Sequence, residues 1–249
     1  LDEAGILAPE AGGSYFANAM AIYKAELAAD AQRGTESVDT EQFLWGAFGG
    51  AAEANCSYIP ECNAVLLPMA MLQAPFYDPA ATFEENLGAL GFAIAHEITH
   101  AFDSDGAHYD ETGSLNDWWT DADWAQFEAL CEEVVAYYDG WECVPGIATD
   151  GGLTLIENIA DLGAMSCIMD IAATRPDFDY ETLFEKVALL FAESSSREWL
   201  AYVAATDLHS VGSVRINRML SSCDAFYDTY DVQPGDGMYV APEDRVGIW

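Results

Sequence analysis

Positive charge is scarce in this sequence, which has 8 lysine and arginine residues against 43 aspartates and glutamates, a net charge of −35. Lysine occurs only at Lys24 and Lys186. Because a field of this sign repels nucleic acids and anionic membranes, both are poor candidates as partners, and we expect no nucleic acid partner. The acidity is also typical of a well-solvated surface, and by itself it identifies no substrate.

Long apolar runs and paired cysteine motifs are missing as well. No run approaches the roughly 18 apolar residues of a membrane span, so we predict none in this chain. The six cysteines include no C-x-x-C, which disfavours a zinc ribbon or a thioredoxin-like site. Cys56 with Cys62 and Cys131 with Cys143 are close enough in sequence for disulfides in an oxidising compartment, and free buried thiols fit equally well.

The rest of the composition indicates a folded, mainly helical chain with a small β-hairpin. Hydrophobic residues make up 51% of the 249 positions, enough to bury a core. Short β-prone runs broken by Pro60 and Asn63 predict a hairpin within residues 55–68, after a polar, glycine-rich segment. Thr82 and Glu85 have the spacing of a capping box ahead of an apolar run. Helices are predicted at about 14–32, 83–102, 121–139, 153–174, 179–205 and 213–230.

Histidine is rare too, with four residues, yet two of them share an apolar helix with an acid. His96 and His100 are four residues apart, so they project from one helical face and can bind one metal ion. Glu97 points about 100° away, where a carboxylate can take the proton of a metal-bound water. The alternative is two core histidines with a satisfied glutamate, but burying three ionisable groups without a partner is costly.

A catalytic zinc ion needs a third protein ligand. The segment GGLTLIENIADLGAMS, residues 151–166, places Glu157 and Asp161 four apart on a second apolar helix. If Glu157 binds zinc, Asp161 can accept a hydrogen bond from a ligating imidazole. Thr154 and Glu157 also have the spacing of a capping box, so both interpretations of Glu157 stay open.

The other two histidines are less informative. His209, near the start of a helix that carries Arg215, could donate a hydrogen bond to an oxyanion, although a helix-start histidine is common without such a role. Arg215 could bind a substrate carbonyl or an enzyme carboxylate, or be a surface arginine. His108 lies in a loop and is expected at the surface. The D-S-D-G run at 103–106 does not have the spacing of an EF-hand.

Five blocks occur in the order in which they occur in one enzyme family, between about Tyr15 and Trp249. They are NCSYIPECNAVLLPMAMLQAPFYD, HEITHAFDSDGAHYDETGSLNDWW, ENIADLG, HSVGSVRINRML and GDGMYVAPEDRVGIW. With these blocks the chain resembles the catalytic region of the neprilysin-type zinc metallopeptidases, which include endothelin-converting enzymes and bacterial oligopeptidases. The resemblance implies a thermolysin-like (gluzincin) catalytic domain over residues 1–249.

The resemblance also implies a role for each candidate residue. One zinc ion per chain is expected, with Glu97 as the general base that activates water and His209 as the stabiliser of the transition state. Asp103 and Asp161 match the aspartates that orient the zinc ligands, and Arg215 matches the arginine that binds the substrate backbone. Asn55 and Cys56 match the edge segment that pairs with the peptide, as in β-augmentation. The implied zinc ligands are His96, His100 and Glu157.

Three positions depart from the family pattern. Cys56 replaces a small alanine beside the substrate edge, and a bond to Cys62 would change that edge. Val211 replaces a proline, which is expected to loosen the loop that holds His209. No cysteine precedes the final tryptophan, so one disulfide of the family cannot form.

We therefore expect a zinc endopeptidase that cleaves oligopeptides on the amino side of hydrophobic residues. Full members of the family carry a long helical N-terminal lid, which these 249 residues do not contain. We expect either a separate N-terminal lid chain as partner or a short member with an open cleft. The alternative function is a latent, noncatalytic half that binds zinc and peptide. A secreted or cell-surface location is favoured, with a cytoplasmic bacterial oligopeptidase as the alternative.

Overall fold

The computed structural model describes residues 7–8, 11, 13–33, 52–116 and 118–248. The chain divides into two compact units, residues 1–48 and 49–249. In the first unit, helix α1 (Tyr15–Arg33) confirms the helix predicted at 14–32. The predicted glycine-rich segment that follows lies mostly outside the described residues. One catalytic domain over residues 1–249 stays a prediction.

The second unit is mainly helical with small antiparallel hairpins, as predicted. The first hairpin pairs β1 (Ser57–Ile59) with β2 (Ala64–Leu66), and Asn63 turns the chain with a left-handed φ of 46°. The second, which the sequence did not predict, pairs β3 (Glu142–Val144) with β4 (Ile147–Ala148). The helices are α2 (Phe83–Asn86), α3 (Phe92–Thr99), α4 (Asp121–Tyr138), α5 (Leu155–Ala173), α6 (Tyr180–Leu190), α7 (Arg197–Thr206), α8 (Gly212–Ser221) and α9 (Asp224–Tyr230).

The helical stretch predicted at 83–102 forms, with a local change of pitch. The capping box is present: Glu85 N–H donates to the Thr82 hydroxyl oxygen at 3.1 Å, and Thr82 N–H donates to the Glu85 carboxylate at 2.8 Å. Residues Leu87–Gly91 between α2 and α3 form a π-helical turn, and a 3₁₀ turn, His100–Phe102, follows α3. Such π turns are frequent beside functional sites.

Helix α5 is the centre of the second unit. Eleven of its 19 residues are buried, since apolar side chains occur all round it. One face packs against α3, α6, α8 and α9 in a cluster that includes Phe92, Ile168 and Phe184. The other face packs against α4 and α8 in a cluster that includes Tyr138 and Ile159. A polar side chain on α5 is therefore held rigidly.

Two predicted helices are shorter than expected. The helix predicted at 179–205 is wrong as one element, because α6 ends at Leu190 and α7 begins at Arg197. The polar run at residues 193–198 interrupts the apolar pattern, and Ser196 caps α7 by accepting a hydrogen bond from the N–H of Trp199 at 3.2 Å. The helix predicted at 213–230 likewise divides into α8 and α9.

No disulfide joins any of the six cysteines, all of which lie within the described residues. The suggested disulfides Cys56–Cys62 and Cys131–Cys143 are therefore absent, and of the cysteines only Cys56, Cys131 and Cys223 are buried, as the alternative expected. The thiol of Cys143 instead donates to the carbonyl of Ile147 across the second hairpin. The cysteine pairing that favoured an oxidising compartment therefore gives no support to that location. None of the helices within the described residues is long and apolar enough to cross a membrane.

Candidate metal centre and active site

Two histidines and a glutamate converge where α3 faces α5. His96 comes from α3, His100 begins the 3₁₀ turn after it, and Glu157 lies in the first turn of α5. The Nε2 atoms of His96 and His100 are 3.1 Å apart. Glu157 Oε2 lies 3.1 Å from Nε2 of His96 and 3.8 Å from Nε2 of His100. Glu157 therefore meets both histidines at one point, although it lies 57 residues after His100 in the sequence.

Two aspartates fix the direction of both imidazoles. His96 Nδ1 lies 3.0 Å from Asp161 Oδ1, and His100 Nδ1 lies 2.6 Å from Asp103 Oδ2. Because an ionised carboxylate only accepts hydrogen bonds, each Nδ1 carries a proton, and in a neutral imidazole Nε2 then presents its lone pair. Asp103 is held in turn, since its Oδ1 accepts from two backbone N–H groups, those of residues 105 and 106, at 2.8 and 2.7 Å. In the neutral imidazoles, the ring nitrogens that face each other are therefore acceptors.

Glu157 does not form the alternative capping box. Thr154 makes no side-chain cap, and its hydroxyl instead donates to the carbonyl of Asp150 and accepts from the amide of Asn158. Glu157 Oε2 is buried and has no hydrogen-bond donor in suitable geometry among the described residues. Burial opposes ionisation, but contacts with His209 and His96 outweigh it and hold the pKa of Glu157 well below its usual range. The carboxylate is therefore an anion that lacks a hydrogen bond.

These three donors fit a metal ion. Two ligand atoms at about 2.05 Å from a tetrahedral zinc ion are about 3.3 Å apart. The three donor pairs are 3.1 to 3.8 Å apart. With both imidazoles neutral, two acceptor nitrogens and an anionic oxygen at this separation repel one another unless a cation lies between them. Two imidazoles and one carboxylate are also a known ligand set of catalytic zinc.

Glu97 lies beside the three candidate metal ligands. It is buried on α3 and lines the same groove. Burial raises the pKa of Glu97, partly offset by His96 and His100 and by a hydrogen bond from the backbone of Tyr58. A carboxyl whose pKa is moved towards neutrality is suited to exchanging a proton.

His209 reaches the centre from the loop before α8. Its Nε2 lies 3.1 Å from Glu157 Oε2, and its Nδ1 lies 2.8 Å from Asp207 Oδ1. The contact with Glu157 raises the pKa of His209, with a smaller contribution from Asp207. Sequence reasoning missed Asp207; the D-x-H spacing, with the His209 N–H donating to the same carboxylate oxygen at 2.9 Å, was the available signal. Val211, which replaces a proline, has a φ of −58°, close to the value that proline imposes.

Arg215 is paired with an enzyme carboxylate, one of the partners considered for it. Its Nε and Nη2 donate to the two oxygens of Asp161 at 2.7 Å each, and its guanidinium lies over the ring of Phe191. Asp161 is fully buried; burial alone would raise its pKa, but Arg215 and His96 lower it to about 2. Asp161 therefore joins α3, α5 and α8. His108 is exposed, as predicted, and stacks on Trp124.

The centre opens into a groove with a volume of 470 Å³. Asn55 is exposed on one wall and Cys56 is buried there, just before β1. Burial and the nearby Glu97 raise the pKa of Cys56 to about 11, so its thiol stays protonated. β1 pairs with β2 on one side and with no other strand among the described residues. The groove is also lined by apolar side chains: Met71, Phe76, Phe92, Ala93, Leu190 and Phe191.

A larger groove of 740 Å³ lies elsewhere, between the start of α4 and residues 247–248. Trp118, Trp119 and Phe127 make its walls partly aromatic. Its carboxylate, Asp123, is occupied in the capping box of α4 with Thr120. The groove has no group of metal-binding or nucleophilic side chains among its lining residues, so we place the chemistry at the smaller groove.

Several known proteins are similar to this chain. The profile of peptidase family M13 matches residues 55–246. The neutral endopeptidase of Lactococcus lactis subsp. cremoris is 40% identical over 195 residues, which are 78% of this chain and 31% of that protein. Human neprilysin is 27% identical over 250 residues, 94% of this chain and 32% of that protein.

A solved structure agrees with the sequence matches. The crystal structure of PepO from Lactobacillus rhamnosis HN001 superposes with a TM-score of 0.75 at 38% identity, over 78% of this chain and 31% of that one. This likeness confirms the predicted mainly helical, thermolysin-like fold. The chain spans about a third of the length of the relatives it matches. The profile, the relatives and the superposed structure all place this chain in peptidase family M13.

Proposed function

We propose that this chain is the catalytic part of a zinc-dependent endopeptidase that holds one zinc ion through His96, His100 and Glu157. Membership of family M13 implies a metal cofactor, typically zinc. The observation that carries the proposal is the buried Glu157 Oε2, which has no hydrogen bond among the described residues and faces two imidazole nitrogens whose opposite sides are held by aspartates.

The protein's own groups supply the rest of the chemistry. When bound, zinc polarises the scissile carbonyl and makes water acidic enough to react at neutral pH. Glu97, whose pKa is raised by burial, accepts the proton of the attacking water and passes it to the leaving amine. His209 donates a hydrogen bond from Nε2 to the developing oxyanion, while Asp207 keeps the proton on Nδ1. Asp161 and Asp103 hold the ligating imidazoles in place.

The groove supports an oligopeptide substrate cleaved on the amino side of a hydrophobic residue. The open edge of β1, with Asn55 and Cys56 before it, is suited to main-chain pairing with an extended peptide. The apolar wall that includes Phe76 and Leu190 is suited to a hydrophobic side chain. The pair with Asp161 uses two of the five N–H groups of Arg215, and the others are free to bind a substrate carbonyl.

The length of the chain relative to its relatives leads to a second candidate function. Because the chain spans about a third of its relatives, a latent half that binds zinc and peptide, and turns over with a separate N-terminal lid chain, is the alternative. A secreted or cell-surface location remains a prediction.

Hydrolysis by the zinc-loaded chain tests the proposal. A quenched peptide with a central phenylalanine or leucine is incubated with wild type, with Glu97→Gln, and with Glu133→Gln as a control on the exposed face of α4. We expect wild type and Glu133→Gln to cleave before the hydrophobic residue, and Glu97→Gln to be at least about 100-fold slower with zinc still bound. Equal rates for all three would overturn the role of Glu97. One zinc per chain without cleavage would favour the latent half.

A further inference from the structure

We propose that the groove selects peptides with basic residues beside the cleaved bond, and that Asp105 is a contact for their positive charge. This inference rests on the proposed function and names the substrate class of the same site. It concerns flanking residues, so it adds to the hydrophobic preference of the apolar wall.

The charges that line the groove have one dominant sign. Four carboxylates line it, those of Glu97, Asp103, Asp105 and Glu157, against one permanent cation, Arg215. That cation is neutralised by a fully buried carboxylate, Asp161, at 2.7 Å. A bound divalent metal offsets two of the four negative charges and leaves the groove anionic. A substrate carboxylate therefore finds no unpaired cation among the described groove residues.

Unlike Asp103, Asp105 has no partner for its charge among the described residues. Both oxygens of Asp103 are occupied, one by backbone N–H groups and one by His100. Asp105 is exposed on the groove wall, and its carboxylate makes no hydrogen bond or ion pair within the part of the chain that the structure describes. Its backbone N–H is bound to Asp103 at 2.8 Å, so its position on the wall is fixed. A lysine or arginine side chain of a substrate supplies the missing partner.

The field of the whole chain acts in the same direction. The net charge of −35 attracts cationic peptides towards the protein from any side. This long-range attraction is screened by salt, since the Debye length falls from about 10 Å at 0.1 M to about 3 Å at 1 M. A contact with Asp105 adds a local term that depends on one residue. The two terms are separated by changing this residue and a distant acidic residue in parallel.

Peptide binding is measured on zinc-loaded Glu97→Gln, so that turnover does not interfere. Three acetylated, amidated fluorescent peptides share a hydrophobic centre and carry lysine, glutamine or glutamate flanks. Asp105→Asn is compared with Asp170→Asn, which removes the same charge from an exposed site about 20 Å further along α5 than Glu157. Fluorescence anisotropy gives the dissociation constants at about 0.05 and about 0.5 M salt.

At low salt we expect the lysine peptide to bind at least about ten-fold more tightly than the glutamate peptide, with the ratio falling towards one at high salt. Asp105→Asn should lower the ratio about three-fold, and Asp170→Asn should leave it nearly unchanged. Equal binding of the three peptides, or equal effects of the two variants, would overturn the inference. Wild-type hydrolysis of the same peptides separates the two claims. Cleavage without charge preference refutes only this inference, and charge-selective binding without cleavage refutes only the proposed activity.

Discussion

Removal of the Asp161 carboxylate should destabilise the protein even in the absence of metal. Asp161 is fully buried and joins three helices through Arg215 and His96, at 2.7 and 3.0 Å. Asp161→Ala leaves the guanidinium of Arg215 buried without its counter-ion. Breaking a buried ion pair in this way costs about 3–5 kcal/mol. For a chain of this size the melting temperature should fall by about 6–20 °C.

Urea unfolding of the metal-free protein, followed by circular dichroism, measures this cost without any contribution from metal binding. The double variant Asp161→Ala/Arg215→Leu removes both charges, so it should be at least about 1 kcal/mol more stable than Asp161→Ala alone. Asp161→Asn, which keeps one acceptor oxygen, should lie between wild type and Asp161→Ala. A loss below about 1 kcal/mol for Asp161→Ala, or simple additivity in the double variant, would refute the reasoning.

The ion pair between Asp161 and Arg215 should also make the stability of the fold depend on pH. Burial opposes the ionisation of Asp161, but Arg215 outweighs it and lowers the pKa to about 2. Because this pKa is below that of an unfolded aspartate, near 4, the ionised carboxylate stabilises the fold above pH 4. That contribution is lost as the pH falls through 2. The part of the stability difference between wild type and Asp161→Ala that comes from this ionisation should therefore narrow as the pH falls from about 4 to 2.

Three further predictions concern the centre and its scaffold. Burial alone would lower the pKa of His96, but neighbouring carboxylates raise it to about 9 in the metal-free protein, so zinc must displace a proton. Calorimetry near pH 7 in buffers of different ionisation enthalpy should show about one proton released per zinc, and no release would contradict this. A Cβ at Gly106 would lie 1.8 Å from the His100 carbonyl oxygen. Gly106→Ala should therefore lower the free energy of unfolding in urea by at least about 2 kcal/mol. Gly237→Ala, where the added Cβ meets open space, should lower it little. Ser196→Ala should cost about 1 kcal/mol through loss of the α7 cap, and an unchanged unfolding midpoint would show that the cap is not needed.

The parts of the site that lie within one helix could be predicted from sequence. The relative directions of His96, Glu97 and His100 follow from helical geometry, as do those of Glu157 and Asp161. The capping box at Thr82 and Glu85 is equally local, and the structure contains it. Roles that depend on one turn of backbone were thus accessible before any tertiary structure was known.

The parts that depend on distant segments could not be derived from periodicity, and Glu157 was assigned to the metal only through the resemblance to the neprilysin-type family. Thr154 and Glu157 have the spacing of a capping box, and only the tertiary structure, in which Thr154 binds Asp150 and Asn158, shows that Glu157 faces the histidines. The pair between Arg215 and Asp161 joins residues 54 apart, which periodicity does not report. The break between α6 and α7 was missed for the opposite reason. There the signal is local: residues 193–198 are all polar, and Ser196 caps the new helix.

The most direct test of the account is the position of the metal. Crystals grown with zinc are measured on both sides of the zinc absorption edge, and an anomalous difference map is calculated. We expect one peak per chain, about 2.0–2.2 Å from Nε2 of His96, Nε2 of His100 and an Oε atom of Glu157. A peak at other side chains, or no peak between these three at saturating zinc, would contradict the proposed centre.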